Sequence, residues 1–313
     1  MNMKIIGISS GSNNGNNDSM CKEALIGAKE TGADIEFVRL LDLDLKYCTG
    51  CITCVMSLMM GKGNRCALKD DFDWLLDKML DADGVVFATP VFVKGTPGIF
   101  HTIIDRFGVR MDRGNNILST EIAKKSNGKI PDPRILKDKV VSYMGIGGSE
   151  WTSRIQCDHS LQAMSPMWTI IDNEVFSWSK GIIMEDEKVA RAHQIGVNLA
   201  KAAMDIESAN YVGEAGICPH CHSRNFYLNN NAAEAICSSC GIKGELKIAN
   251  GKISFEFPET QLEFAHDTIP GKLHHMDDVK KLEENFMTMR KSDEFKVRVD
   301  KYKGFITASK PAS

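Results

Sequence analysis

Apolar residues in this chain gather first into short runs: Lys4 to Ser9, Ile35 to Leu41, Gly84 to Ala88, Val140 to Ile146 and Trp168 to Phe176. Runs of this length, separated by longer segments, read as buried strands joined by crossover helices. The intervening segments carry the helical period: Met20, Ala24, Leu25 and Ala28 share one face, as do Phe100, Ile103, Ile104 and Phe107. A further helix is expected from just after Glu185 to about Ser208, where acids precede an alanine-rich stretch. The alternation predicts an α/β domain, a doubly wound five-stranded parallel sheet, over residues 1–212.

Two segments break the rhythm. Residues 109–139 are polar and long for a helix-to-strand connection, which marks an insertion that is a lid, an interface piece or disordered. After Tyr211 the pattern changes again. Residues 213–250 hold four cysteines, and residues 251–313 form a mixed tail with an amphipathic helix expected near Met276 to Met289.

Composition narrows the function classes. With 313 residues, 43% hydrophobic and 25% charged, the chain can bury one large core and a smaller one. A net charge of -3 supplies no global attraction to nucleic acid or to an anionic membrane. The opening MNMKIIGISSGS has an apolar run too short for a secretory signal, and no segment approaches a membrane span. The expected location is the cytoplasm, with neither nucleic acid nor membrane as partner. Eight of the ten cysteines lie in two clusters of C-x-x-C type, which in a reducing compartment point to metal.

The second cluster is the sharper of the two. Cys218, Cys221, Cys237 and Cys240 form two C-x-x-C knuckles at zinc-ribbon spacing, with rubredoxin-type iron as the alternative. Arg224, Lys243 and Lys247 are balanced by Glu214, Glu234 and Glu245, so no basic face is available for phosphate backbones. The ribbon therefore reads as structural or as an interaction module. In the first cluster, Cys48, Cys51 and Cys54 have C-x2-C-x2-C spacing and Cys66 follows. That spacing suits a [4Fe-4S] cubane, whose irons each need a thiolate; another metal, or reduced metal-free thiols, are the alternatives.

The stretch from Gly7 to Met20, GISSGSNNGNNDSM, occupies the place of a first phosphate loop. Gly7, Gly11 and Gly15 recur at every fourth position, which is neither the dinucleotide fingerprint nor a P-loop, and no Lys or Arg is present. Such a loop would hold an anion through backbone amides and small side chains. It resembles the phosphate loop of the flavodoxin-like NADPH-dependent FMN reductase family, and of the iron-sulfur flavoproteins within it, whose usual pattern is close to G-S-P-R-K-x-G-N-T. Ser12 falls on the family's serine, Asn14 on its arginine, Asp18 on its asparagine and Ser19 on its threonine.

The resemblance continues in ATPVFVKGTPGIFHTIIDRFG, Ala88 to Gly108. Thr89, Pro90, Val91, Phe92 and Val93 match the turn that packs on the isoalloxazine, and Asp105 and Arg106 match the end of the following helix. GIGGSEW, from Gly145, stands where the family places glycines beside the flavin. The resemblance spans residues 3 to about 205 and implies FMN as cofactor. Ser10, Ser12, Asn14, Asn17, Asp18 and Ser19 would hold the phosphate, and Thr89 to Val93 with Gly147 and Gly148 would hold the ring. Asp18, an acid where the family has an amide, reads either as a helix cap favoured by the dipole or as a charge that weakens the phosphate site by repulsion.

The same resemblance extends to the first cysteine cluster, including Asp70 and Asp71 after it, although VMSLMMGKGNR lengthens the gap before Cys66. What it implies is an FMN-dependent oxidoreductase. Electrons from NAD(P)H as cosubstrate, or from another low-potential donor, would pass to a quinone, a nitro or azo compound, a flavin or a carrier protein, with or without the cluster. The flavin would carry the chemistry, so no side chain is assigned as catalytic. Alternatives are a non-enzymatic electron-transfer protein and a flavin-sensing regulator. A homodimer or homotetramer is the implied assembly, with the ribbon placed to cover a neighbouring protomer's flavin.

Lesser candidates read as structural. Cys157 and His159, two apart on a helix, face different directions; His101 and His193 read as packing or surface residues, and His274 and His275 lack the partners of a metal site. His220 and His222, beside four cysteines, are expected at the surface, and Trp151 and Trp168 are candidate walls of the flavin site.

Overall fold

All five apolar runs become strands of one parallel sheet in the computed structural model, which describes residues 3–230 and 233–311. In chain order the first unit runs β1 (Lys4–Ser9), α1 (Asn16–Glu30), β2 (Asp34–Arg39), α2 (Thr53–Met59), α3 (Phe72–Asp81), β3 (Gly84–Pro90), α4 (Gly98–Met111) and α5 (Arg113–Ser126). It closes with β4 (Val140–Ile146), α6 (Ile155–Met164), β5 (Thr169–Phe176) and α7 (Asp186–Met204). The spatial order β2-β1-β3-β4-β5 is that of a flavodoxin-like sheet. Strand order reverses at β1, so the crevice beyond the carboxyl ends of β1 and β3 is where such a sheet binds ligands.

Alternation along each strand divides the core between the two faces. Ile6, Ile8, Phe87 and Tyr143 pack against Phe72, Leu75, Phe100 and Phe107 of α3 and α4. Ile5, Val86 and Met144 pack against Met20, Ala24, Ile195 and Leu199 of α1 and α7. The second layer depends on two glycines, because α1 and α7 touch backbone to backbone. A Cβ on Gly27 would lie 2.2 Å from the His193 carbonyl oxygen, and one on Gly196 would lie 1.7 Å from that of Ala24.

Residues 109–139 fold as α5 and a short 3-10 turn rather than as a disordered loop. The helix is capped by Asp112, which accepts from the Asn115 amide at 2.9 Å. Its buried face meets α2, which arises from the extra residues between Cys54 and Cys66: Ser119 Oγ donates to the Leu58 carbonyl at 3.0 Å and the Lys129 amide to that of Gly61 at 2.8 Å. Each insertion supplies the surface that buries the other.

The cysteine-bearing segment folds around a four-stranded antiparallel sheet, β6 (Phe226–Asn229), β7 (Glu234–Cys237), β8 (Lys243–Ala249) and β9 (Lys252–Glu256). This unit runs past the expected boundary at residue 250. Phe255 and Ala265 share its core with Cys218, Cys237, Cys240 and Ile242, and the His266 amide donates to the Cys240 carbonyl at 2.9 Å. A knuckle core this small needs the β8–β9 hairpin to close it. The tail helix α8 spans Ile269–Met289, beginning earlier than the amphipathic pattern suggests, because Thr268 caps it and Pro270 suits a first turn. A last helix, α9, spans Asp293–Tyr302. Among the described residues no helix is long and apolar enough to cross a membrane.

Gly196→Ala is expected to force α1 and α7 apart and to cost about 2 kcal/mol or more of stability, read as a lowered denaturation midpoint; a wild-type midpoint would refute the close approach of the two helices.

Candidate functional site

The carboxyl ends of β1, β3, β4 and β5 deliver four loops to one edge of the sheet. The loop after β1 enters α1 through Gly15, with Asn14 in the left-handed region (φ 53°). The first-turn amides of a helix have no acceptor within it, which leaves them free for an anion. Ser12 and Asn14 are exposed and Ser19 is half-buried, its hydroxyl donating to the Gly15 carbonyl at 3.1 Å. Ser10 is buried and bonds toward β3, its amide donating to the Ala88 carbonyl at 3.0 Å. Asn17 is also buried, and its amide oxygen has no partner. Rotated about its last side-chain torsion, the Asn17 carboxamide presents an N–H to an oxyanion in place of that oxygen. That orphaned group and the free amides fit a phosphate.

Asp18 is not a contact offered to a ligand. It is fully buried; one oxygen accepts from Ser9 Oγ at 2.6 Å, the other from the Asn14 amide at 2.9 Å and from Arg39 Nη2 at 2.7 Å. Burial would raise the carboxyl's pKa, but the hydrogen bonds from Arg39, Ser9 and Asn14 outweigh it and hold the group below the usual carboxylate range. The charge is thus met by a partner that motif reading missed. Arg39 ends β2, beside the switch point, and its Nη2 also reaches Asn13 Oδ1 at 2.9 Å. The cation absent from the loop's own sequence arrives from the neighbouring strand. The signal was a lone arginine closing a strand next to the loop.

The loop after β3 is held open toward solvent. Thr89 is buried, Val91 half-buried, and Phe92 and Val93 are exposed, with Val93 and Lys94 in the left-handed region (φ 49° and 70°). Its neighbour is the loop after β4: a Cβ on Gly147 would lie 3.2 Å from Val91 Cγ2, and Lys94 Nζ lies 5.6 Å from the centre of the Trp151 ring. Gly148 has open space around it. The loop after β5 closes back on the first, with Asn16 Nδ2 donating to the Ser179 carbonyl at 3.1 Å. Phe92, Trp151 and Trp178, each about 60% exposed or more, stand on the loops after β3, β4 and β5 at this edge. Trp168 is not among them. It lies at the other end of β5, buried edge-on against Phe107 at 5.7 Å.

Free helix amides and an orphaned carboxamide at the switch point, with exposed aromatics on the loops after β3, β4 and β5, are features that a flavin site requires. The sequence pattern that defines the NADPH-dependent FMN reductases matches residues 3–181. The chain belongs to the NADPH-dependent FMN reductase family. It is 54% identical to a solved flavone reductase, over 99% of this chain and 100% of the other, with a TM-score of 0.90. It is 28% identical over 271 residues to the flavone synthase cfoJ of Aspergillus candidus, 81% of each chain. An iron-sulfur flavoprotein of Archaeoglobus fulgidus is 28% identical over 205 residues, which cover 64% of this chain and 91% of that protein. As a member of this family the chain is an FMN-dependent oxidoreductase.

Two cysteine clusters are candidate metal sites in this chain, and the structure treats them differently. The four ribbon sulfurs, of Cys218, Cys221, Cys237 and Cys240, lie within 4.8 Å of one another. Pairs at 3.9 Å and 3.4 Å bracket the roughly 3.8 Å edge of a tetrahedron of thiolates about one ion, so the set fits a metal. His220 and His222 are not drawn in: the first pairs with Asp267 at 2.8 Å and the second stacks on Tyr211 at 4.2 Å. In the first cluster Cys48 and Cys51 are exposed and Cys54 and Cys66 half-buried, and among the described residues these four are not gathered at single-ion spacing. Thiolates around a cubane stand further apart than around one ion.

The segment before the first cluster is fastened from below. Asp70 accepts from the Lys46 amide at 2.9 Å and from Arg106 Nη1 at 2.6 Å, while Asp71 accepts from the Asp44 amide at 2.8 Å. The Arg106 guanidinium lies over the Phe72 ring at 4.3 Å, and its Nη1 also donates to the Lys46 carbonyl at 2.8 Å. Its neighbour Asp105 is exposed. Asp70 of one motif and Arg106 of the other are therefore one buried ion pair, with the exposed Asp71 holding the Asp44 amide beside it.

His159 is fully buried and bonded on both ring nitrogens, to Thr89 Oγ1 at 2.7 Å and to Asn173 Oδ1 at 2.9 Å. Burial lowers its pKa to about 4, against an ordinary value near 6.5. The unfolded chain therefore takes up the proton first as pH falls, so this group's contribution is complete above pH 6.5 and is lost between there and about pH 4, by about 3 kcal/mol. H159Q should flatten that part of the stability profile, and an unchanged slope in urea titrations would show that other groups set it. Arg39→Gln should weaken FMN binding to the apoprotein roughly tenfold, and adding Asp18→Asn should recover most of the loss; additive losses would show that the two residues act independently.

Proposed function

We propose that this chain is an NAD(P)H-dependent reductase carrying FMN, and that its acceptor is a planar oxygen-bearing aromatic of the flavone type. The observation that carries the reading is the likeness to the flavone reductase, 54% identical along 99% of the chain, which takes in the ribbon and the tail as well as the flavin-binding unit. The exposed rings of Phe92, Trp151 and Trp178 support it, because aromatic side chains bordering a flavin edge suit a flat apolar acceptor. Two relatives are named for flavone, one for making it and one for reducing it.

The chemistry FMN supplies when bound is two-electron transfer, in which the hydride of NAD(P)H is passed to the carbon β to the acceptor's ring carbonyl, a proton joins the α carbon, and the C=C bond becomes single. The chain's part is to hold and orient. First-turn amides of α1, Ser12, Asn17 and Ser19 take the phosphate, the backbone of Thr89 to Val93 with Gly147 and Gly148 takes the ring, and the three aromatic side chains exclude water from the acceptor face. Zinc in the ribbon and a homo-oligomer in the cytoplasm belong to the same reading. Exposed Leu282, Phe286, Met289, Tyr302 and Phe305 on and beyond α8 and α9 favour assembly.

A second reading, electron transfer through a [4Fe-4S] cluster on Cys48, Cys51, Cys54 and Cys66, is favoured by the fastened segment before Cys48 and by the iron-sulfur flavoprotein relatives.

Anaerobically purified protein should oxidise NAD(P)H in the presence of flavone and yield a product two mass units heavier. Fast reduction of quinones or nitro compounds with flavone untouched would remove the acceptor assignment and keep the reductase. Iron and sulfide counted on the same sample at about four per flavin would establish the cluster, and zinc without iron would exclude it.

A further inference from the structure

The loop after β3 is poorly held by its own residues. Its internal closure is the pair of bonds between Phe92 and Gly95, at 2.9 Å and 3.0 Å. Between them Val93, a β-branched residue, and Lys94 both take positive φ, a conformation that persists only where the surroundings impose it.

Besides the loop after β4, and His101 of α4 at 3.2 Å from the Thr96 hydroxyl and 3.4 Å from Asp158, those surroundings are chiefly one helix, α6, with Arg154 just before it. At the loop's start, Thr89 Oγ1 meets His159 Nε2 at 2.7 Å. At its end, Asp158 Oδ2 accepts from the Thr96 amide at 2.9 Å and from the Thr96 hydroxyl at 3.2 Å. Between the two, the Lys94 carbonyl accepts from the Arg154 amide at 3.0 Å, and Arg154 Nε reaches Asp158 Oδ1 at 3.2 Å. Contact is close enough that a Cβ on Gly95 would lie 2.4 Å from Asp158 Oδ2. The other side of α6 is itself braced by the cysteine ribbon: Ser239 Oγ lies 3.7 Å from Cys157 Sγ, and Asn225 Nδ2 donates to the Ser153 carbonyl at 3.0 Å.

The histidine's tautomer follows from its partners. Asn173 Nδ2 donates to the Gln156 carbonyl at 3.0 Å, which leaves its Oδ1 as the atom facing His159 Nδ1. Nδ1 therefore carries the hydrogen, and Nε2 is left as an acceptor for the Thr89 hydroxyl. Tyr143, stacked at 4.8 Å, and Phe100, edge-on at 5.6 Å, keep the ring from turning.

We propose that Asp158 and His159 are positioning residues for the flavin: acting through Thr96 and Thr89, they hold both ends of the loop after β3 in the shape that receives the isoalloxazine. This rests on the assignment of that loop to the FMN site. Neither residue touches a reacting atom. A purely structural pair would lower stability and leave bound flavin alone, whereas a positioning pair changes the flavin's surroundings in a protein that stays folded.

The test is FMN titration of apoprotein, with the visible spectrum and midpoint potential of the bound flavin, for wild type, H159Q, Thr89→Val, Thr89→Ser and Asp158→Asn. Wild-type protein that binds no FMN would sink the flavin assignment itself, before any variant is compared. Given wild-type binding, Thr89→Val, which keeps the shape and loses the hydroxyl, should raise the FMN Kd roughly tenfold and shift the flavin bands and potential. H159Q and Asp158→Asn should do likewise, and Thr89→Ser should behave as wild type. Variants with lowered melting temperatures but unchanged Kd, spectrum and potential would overturn the proposal. If H159Q does not fold, Thr89→Val decides the matter, because the hydroxyl is His159's route to the loop.

Discussion

Five strands joined by helical crossovers must run parallel, and parallel strands release all their carboxyl ends at one edge. Everything chemical in the flavin-binding unit follows from that constraint. The loops after β1, β3, β4 and β5 meet at that edge although their residues lie far apart in the chain, at 10–15, 91–97, 147–154 and 177–185. Order reverses at β1, so the helix that starts nearest the crevice is α1, whose unsatisfied amides point where an anion would rest.

An edge built of loops is only as well defined as whatever fastens the loops, and here the fasteners are buried polar groups borrowed from neighbouring elements. Asp18 is satisfied by Ser9, Asn14 and Arg39. Asp158 and His159 serve the loop after β3, and Asp70 with Arg106 serves the segment before the first cysteines. Each of these groups would be costly to bury alone, and each is bonded on nearly every side. This explains why the loops tolerate residues that conflict with local preference, such as Val93 at positive φ or an acid in a phosphate loop.

The parts added to the basic fold also depend on one another. α2 and α5 arise from two separate insertions and pack together; α5 then meets α8 of the tail through Asp112 and Lys272, a largely buried pair at 2.6 Å. The ribbon braces α6, which fastens the loop after β3. A segment that looks dispensable in one dimension is a wall for another in three.

Hydrophobic period by itself determined the strand set, the parallel architecture and the face each residue turns to the core, because those depend on local spacing and on burial, which apolar side chains announce. Cysteine spacing likewise determined which four thiols gather in the ribbon, since a knuckle brings near neighbours together whatever surrounds it. Tertiary structure alone decided which charges meet. Arg39 and Asp18 are twenty-one residues apart, and nothing in either stretch names the other, so motif matching assigned Asp18 to a ligand that it does not face. His159 looked inert because Cys157, two residues away, points elsewhere; its real partners, Thr89 and Asn173, come from two strands that flank β4 in the sheet. The ribbon's true limit, past residue 250, was hidden for a similar reason. Phe255 closes a core whose other members precede it in the chain, and only the folded hairpin shows where that core ends.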